Sequence, residues 1–415
     1  MTGRTRANGE GSIFPYRNGY AAYCWVRTPE GLRKKKWLYG KTREEVHGKW
    51  TKLQNEARER PIATKIPTVG EQVVYWLDNI VKPNAAPLTY ATYETYIRIY
   101  LLPQLGRIKL DRLSVRDVQT WVNKIAGECQ CCAQGKDRKR PEGKRRCCAV
   151  GRCCRQQLSS RTLGNIRATL RSVLAHAQSE ELLARNVAVG VRMPKIRKPK
   201  HKAWSSDEAR LFLESARHGD DPLYAAYVLI LVLGLRKGEA LGVTWNDVDL
   251  DTAELHVGLQ LQRVRGHLLH RETKTEGSDA TLFLPAICLA ALKLRKAEQD
   301  QAREKAGSAW QDVADLVFTT RYGTPIEPRN LNRSWTVRCV KAGVRTITVH
   351  DGRRSCGTLL ADLDVHPRVA MQILRHARFT LTMEIYTMAS SKATRAALKR
   401  LGDSLDGTSS AVDDA

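Results

Sequence analysis

The spacing of apolar and polar positions changes twice along the chain. In residues 11–42, GSIFPYRNGYAAYCWVRTPEGLRKKKWLYGKT, three short β-prone runs are parted by Arg17-Asn18-Gly19 and Pro29-Glu30-Gly31. Asn-Gly and Glu-Gly pairs between such runs signal hairpins. A helix is predicted to follow from Thr42 to Arg58, then a linker over Ala63–Pro67. From Thr68 to Val191 the period becomes helical. Ser114 with Asp117 caps one predicted helix that runs through Lys124. A second follows Ser159-Ser160, with Leu163, Ile166, Leu170, Val173, Leu174 and Ala177 on one face. Residues 192–204 are rich in lysine and proline, which resist helix and packing, and read as a linker. Ser205 and Glu208 form a capping box opening a further helix. The uninterrupted apolar run Leu223 to Leu235 predicts a fully buried helix, and Glu254 to Pro285 reads as strands and turns.

These patterns predict a multidomain chain, mainly α with small β-sheets. The segments are a three-stranded sheet plus helix (1–62), a helical domain (68–191) with a Cys-rich insertion (128–155), a basic linker (192–204), a mixed α/β domain (205–401) and a polar, acidic, disordered tail (402–415). A length of 415 residues and a hydrophobic fraction of 42% suit two or three folded domains. The net charge of +26 changes the picture, because such an excess favours a polyanionic partner, nucleic acid first. The N-terminus has no apolar signal core and the longest apolar run is too short for a bilayer, so a cytoplasmic protein without membrane partners is expected.

The candidate chemistry is an ordered row. Arg236 follows the buried run directly, and Glu239 three residues on is placed to orient it. A rigid guanidinium suits two non-bridging phosphate oxygens better than an amine does. His350 and Arg353 are three apart and share a helical face. His376 and Tyr386 close the row, with Lys274 between its halves. Two arginines, a lysine and two histidines can clamp one phosphodiester, and the tyrosine supplies a nucleophile. A cationic clamp is expected to lower the tyrosine pKa and stabilise charge building at phosphorus.

This row and its local contexts, GLRKGEALGV, RETKTEGS, HDGRRS and LRHARFTLTMEIYTM, resemble the tyrosine recombinases or phage-type integrases. The resemblance covers nearly the whole chain and implies an arm-type DNA-binding module over 1–62, a SAM-like core-binding domain, and a tyrosine recombinase catalytic domain. It implies a site-specific recombinase, the integrase of a phage or other mobile genetic element in an actinobacterium-like host. DNA integration and recombination would proceed through a 3′-phosphotyrosine at Tyr386, with Lys274 protonating the leaving 5′-oxygen. Lys274 is preferred to Arg271 because it precedes Thr275 as in the family's Lys-Thr pattern. No cofactor is required for catalysis. The implied partners are double-stranded DNA attachment sites, a homotetramer assembled on them, and a DNA-bending accessory protein or excisionase. Two rivals are a topoisomerase of type IB that relaxes strands with the same chemistry and a non-catalytic DNA-binding regulator. Two positions depart from the family: Arg375 replaces its glycine and offers a further phosphate contact, and Gly352 replaces a bulkier apolar residue.

Contacts to DNA are expected from Arg33, Lys34, Lys35 and Lys36 on the third strand, from Arg161, Arg167 and Arg171 on the second helix, and from Lys198, Lys200 and Lys202 in the linker. Of 11 cysteines, Cys129, Cys131, Cys132, Cys147, Cys148, Cys153 and Cys154 crowd the insertion. Paired thiols separated by a loop suggest a structural zinc, although seven exceed one tetrahedral site.

Overall fold

The computed structural model describes residues 13–29, 31–62, 64–194, 203–273, 279–386 and 401. Two compact units emerge, Met1–Lys198 and Pro199–Ala415. The small N-terminal module and the helical region therefore share one unit.

The three predicted strands form an antiparallel sheet, Phe14–Tyr16, Gly19–Arg27 and Arg33–Gly40, in sequence order. The helix Arg43–Glu59 is capped by the Thr42 hydroxyl and packs on it through Val46 and Leu53. Because side chains alternate across a strand, the four basic residues of the third strand divide between two faces. Arg33 lies over the Trp25 ring and Lys35 over Tyr23 and Trp25, on the open face. Lys36 faces the other way, half-buried; burial pushes its pKa down, while Asp111 and Glu56 pull it up. Lys34 alternates onto the same side as Lys36, so the four candidates for DNA contact do not share one face.

The helical region packs around Val73, Leu101, Val118, Trp121, Ile166, Leu170 and Val173. The capping box of Ser114 and Asp117 opens Val115–Gly127, and Ser159 caps Ser160–Ser179, whose predicted apolar face is buried. Arg161 and Arg171 are exposed on the outer side of that helix. Arg167 is not: its guanidinium donates to the Val189 carbonyl at 3.1 Å and is half-buried, so it braces the turn Val187–Gly190. Lys198, Lys200 and Lys202 lie outside the described residues, as does the tail 402–415.

In the second unit, the capping box of Ser205 and Glu208 starts Ser206–His218, and the apolar run becomes the buried helix Tyr224–Val232. An aromatic cluster forms the centre: Trp335 stacks on Trp204 at 5.5 Å and meets Phe212 at 4.6 Å. Trp335 also resolves one departure from the family pattern. A Cβ on Gly352 would lie 2.7 Å from its ring, so the indole fills the volume a larger side chain at 352 would occupy. Two small sheets flank this core: Val248–Asp249, Glu254–Val257 and Ala280–Phe283 form one, and the hairpin Leu259–Val264 with His267–Glu272 the other. The hairpin sits directly on the helix Lys237–Gly242. Gly242 permits this approach, since a Cβ there would be 2.7 Å from the Gln260 backbone, and His270 Nε2 donates to its carbonyl at 2.8 Å.

Candidate active site

The buried helix Tyr224–Val232 ends in a turn that aims Arg236. Gly234 takes φ +61°, and a Cβ there would meet Leu374 at 2.5 Å, so only glycine suits both the backbone and the contact. Arg236 then caps the helix Lys237–Gly242, its backbone N–H donating to Glu239 Oε2 at 2.9 Å and its Nη1 to Glu239 Oε1 at 2.5 Å. The predicted orienting role of Glu239 is what the geometry has. Glu239 is 2% exposed, and Arg236 keeps 40% of its side-chain surface open. Burial alone would raise the Glu239 pKa; Arg375 and Arg236 outweigh it and hold the carboxylate charged.

Arg375 supplies the third member of this network, which the sequence reading missed. Its Nη2 donates to Glu239 Oε2 at 2.8 Å and the residue is 3% exposed. It follows the helix Pro367–Leu374 in the left-handed region, φ 50°, where glycine costs least. Its expected phosphate contact is corrected: the guanidinium is consumed inside the protein by Glu239. No spacing rule pairs positions 136 residues apart, so nothing in the sequence marked this pairing.

A second element completes the clamp. Thr348 and Asp351 form a capping box that opens Val349–Asp362. This Thr-x-x-Asp signal was readable in the sequence. His350 and Arg353 lie in the first turns of that helix and, with Arg236, Lys237, Trp335 and Thr348, line a cleft of about 750 Å³. Arg353 is fixed by two carbonyls, Gly234 through Nη1 and Leu374 through Nη2. Burial and then Arg236 push its pKa down to about 9, which leaves it cationic at neutral pH. His350 is exposed at the rim, yet its ring is partly desolvated; that burial, then Arg354 and Arg353, lowers its pKa. His376 Nδ1 lies 3.0 Å from the Thr382 hydroxyl. Burial first, then Arg353 and Arg236, bring its pKa down to about 4, so the imidazole is neutral at pH 7. The structure thus brings Arg236, His350, Arg353 and His376 into mutual electrostatic range.

Tyr386 stands apart from them. It ends the helix Phe379–Tyr386, and its hydroxyl donates to the Val365 carbonyl at 2.6 Å. Burial raises its phenol pKa, and no described cation offsets this. The lowering expected from the clamp is corrected for this state: the hydroxyl is turned to a backbone carbonyl. Lys274 lies outside the described residues; the strand leading to it, His267–Glu272, pairs with Leu259–Val264, the strand that docks on Arg236's helix.

Comparison with known proteins finds family matches in both units. Residues 204–393 match the phage integrase family, and residues 68–126 match the phage integrase N-terminal SAM-like domain. A XerC-like tyrosine recombinase of Caldanaerobacter subterraneus is 26% identical over 91% of this chain and 94% of its own length. An integrase of Saccharopolyspora erythraea is 22% identical over 91% and 93% of the two chains. The solved integrase of transposon Tn1549, in complex with transposon right-end DNA, has a TM-score of 0.62 at 19% identity, covering 81% of this chain and 99% of that one, and so shares the fold. The chain belongs to the phage integrase family and is an enzyme of the tyrosine recombinase type.

Proposed function

We propose that this recombinase cuts and rejoins double-stranded DNA at the attachment sites of a mobile element, with Tyr386 as nucleophile. The observation that carries the reading is the single cleft lined by Arg236, His350 and Arg353, with His376 beside them. Two fixed guanidiniums answer the two non-bridging oxygens of a phosphodiester and the charge that builds there. Neutral His376 donates a hydrogen bond, and His350, with its depressed pKa, accepts a proton at neutral pH. Tyr386 oxygen bonds to phosphorus as the bond to the 5′-oxygen breaks; Lys274 gives that oxygen its proton. The phosphotyrosine conserves the bond, so rejoining by another 5′-hydroxyl needs no nucleotide cofactor. Reaction requires Tyr386 to leave the Val365 carbonyl and reach the cleft. A DNA-bound relative of the same fold supports duplex DNA as the substrate. Exchange between two sites takes four such cuts, which points to a tetramer on DNA and leaves room for a DNA-bending partner or excisionase.

The test is a nicked suicide substrate carrying the element's own junction. Wild type should form a covalent protein–DNA adduct and Tyr386→Phe none. Absence of any adduct in wild type that still binds the DNA would refute the catalytic reading. Relaxation of a plasmid without an attachment site would instead favour a topoisomerase.

A further inference from the structure

The insertion between the helices Val115–Gly127 and Ser160–Ser179 has order without an apolar interior. It contains one short helix, Gln130–Ala133, and two single turns, Glu142–Lys144 and Cys148–Val150. Its buried apolar side chains are Cys131 and Cys147 alone. A loop of this length with so little structure of its own is uncommon, and one that buries no core needs a staple.

The sulfurs supply the geometry for one. Cys129, Cys132, Cys147 and Cys153 place their Sγ atoms within 4.8 Å of one another. Cys132 and Cys147 are 3.3 Å apart, and Cys129 and Cys147 3.8 Å. A zinc–thiolate bond of about 2.3 Å gives a tetrahedron with edges of about 3.8 Å. All four are thiols, with no disulfide among them. The first two form a Cys-x-x-Cys pair across the turn Gln130–Ala133, a spacing common in zinc sites and overlooked among the seven candidates.

The surrounding loop is built to present them. Asp137 is fully buried and accepts four hydrogen bonds, from the N–H groups of Arg146, Cys147 and Ala149 and from Arg140 Nη1, at 2.8–3.0 Å. This fixes the backbone on either side of Cys147. Backbone N–H groups also face the sulfurs: Cys154 donates to Cys147 Sγ at 3.2 Å and Arg155 to Cys153 Sγ at 3.4 Å. Such donors offset thiolate charge, as outer contacts at metal sites do. Gln130, between the first two cysteines, accepts from the Tyr100 hydroxyl at 2.8 Å, tying the turn to the helical core.

We propose that Cys129, Cys132, Cys147 and Cys153 bind one Zn²⁺ as a closed structural site that folds this insertion onto the helical domain. Four protein ligands leave no open position, so the ion has no part in strand transfer. Cys131, Cys148 and Cys154 are outside the set, although Cys131 and Cys154 also gather with Cys147; Cys154 Sγ, 3.6 Å from Cys129 Sγ, is the neighbouring thiol that the test must separate from Cys153.

The full chain, purified without added zinc, should carry about one zinc per molecule by elemental analysis. Titrating wild type with an organomercurial should release it as four thiols react. Replacement by Co²⁺ should give the visible bands of a tetrahedral tetrathiolate. Cys132→Ser and Cys153→Ser should each lose the metal, whereas Cys148→Ser and Cys154→Ser should keep it. Zinc content near zero, or fewer free thiols in denaturant than the sequence has cysteines, would overturn the site in favour of free thiols or disulfides. Retention in Cys153→Ser with loss in Cys154→Ser would overturn the ligand set. The wild-type titration and cobalt spectrum decide the matter even if a variant fails to fold.

Discussion

Arg375 and Glu239 form a buried ion pair, Nη2 to Oε2 at 2.8 Å, and the same carboxylate holds Arg236 through its other oxygen. One acid therefore joins the two chain segments that meet at the phosphate clamp. Taking one partner from a buried pair costs about 3–5 kcal/mol, less where the remaining charge keeps another partner. Arg375→Met should lower unfolding stability by about 2–4 kcal/mol. Arg375→Gly should cost less, because glycine removes a left-handed backbone cost of about 1–3 kcal/mol. Urea denaturation of both variants checks the order; equal losses would refute the backbone contribution.

The two clamp arginines should fail differently. Arg236 is half open, with Glu239 as its principal partner, whereas Arg353 is buried on the carbonyls of Gly234 and Leu374. Arg236→Lys should reduce cleavage by roughly 10²–10³-fold, as loss of a transition-state donor does, with little change in melting temperature. Arg353→Lys should reduce both, since an amine cannot reach two diverging carbonyls. Melting curves beside single-turnover cleavage separate them.

Protonation of the site has a definite sign. The His376 pKa is about 4, below the ordinary value near 6.5, because burial and the arginines disfavour its charged form. The unfolded chain then binds more protons between these values, so stability present above pH 6.5 is lost as pH falls toward 4. With the residue partly exposed, solvent screening limits this to about 1–2 kcal/mol. His376→Gln should flatten that part of the stability–pH curve. An unchanged slope would mean that other groups carry it.

Gly352 and Trp335 should behave as a unit. Gly352→Ala presses a methyl against the indole and should cost about 1–3 kcal/mol, as overpacking does. Trp335→Phe on the same background should recover part of the loss, and a double-mutant cycle measures the coupling. Additive effects would argue against contact between the two positions.

Much of this was legible in the sequence because it rests on local rules. The capping residues Ser114, Ser159 and Ser205, the hairpin glycines and the uninterrupted run before Arg236 each act within a few positions. Glu239 was legible for the same reason. What was hidden depends on groups distant in the chain: Arg375 reaching Glu239, Arg167 bracing Val189, Lys36 turned toward Asp111 and Glu56. The direction of Tyr386 was hidden too. Its place at the end of the row suggested a nucleophile but not which of several oxygens its hydroxyl faces.

That direction has a consequence for the cell. A recombinase searching a chromosome passes a great many phosphodiesters for each one it should break. On the proposed function, a phenol hydrogen-bonded to Val365, its proton held more firmly than in water, makes the lone molecule less reactive toward the strands it scans. The restraint is small, one hydrogen bond of about 1 kcal/mol and partial burial, so the contacts of a correctly assembled complex are enough to lift it.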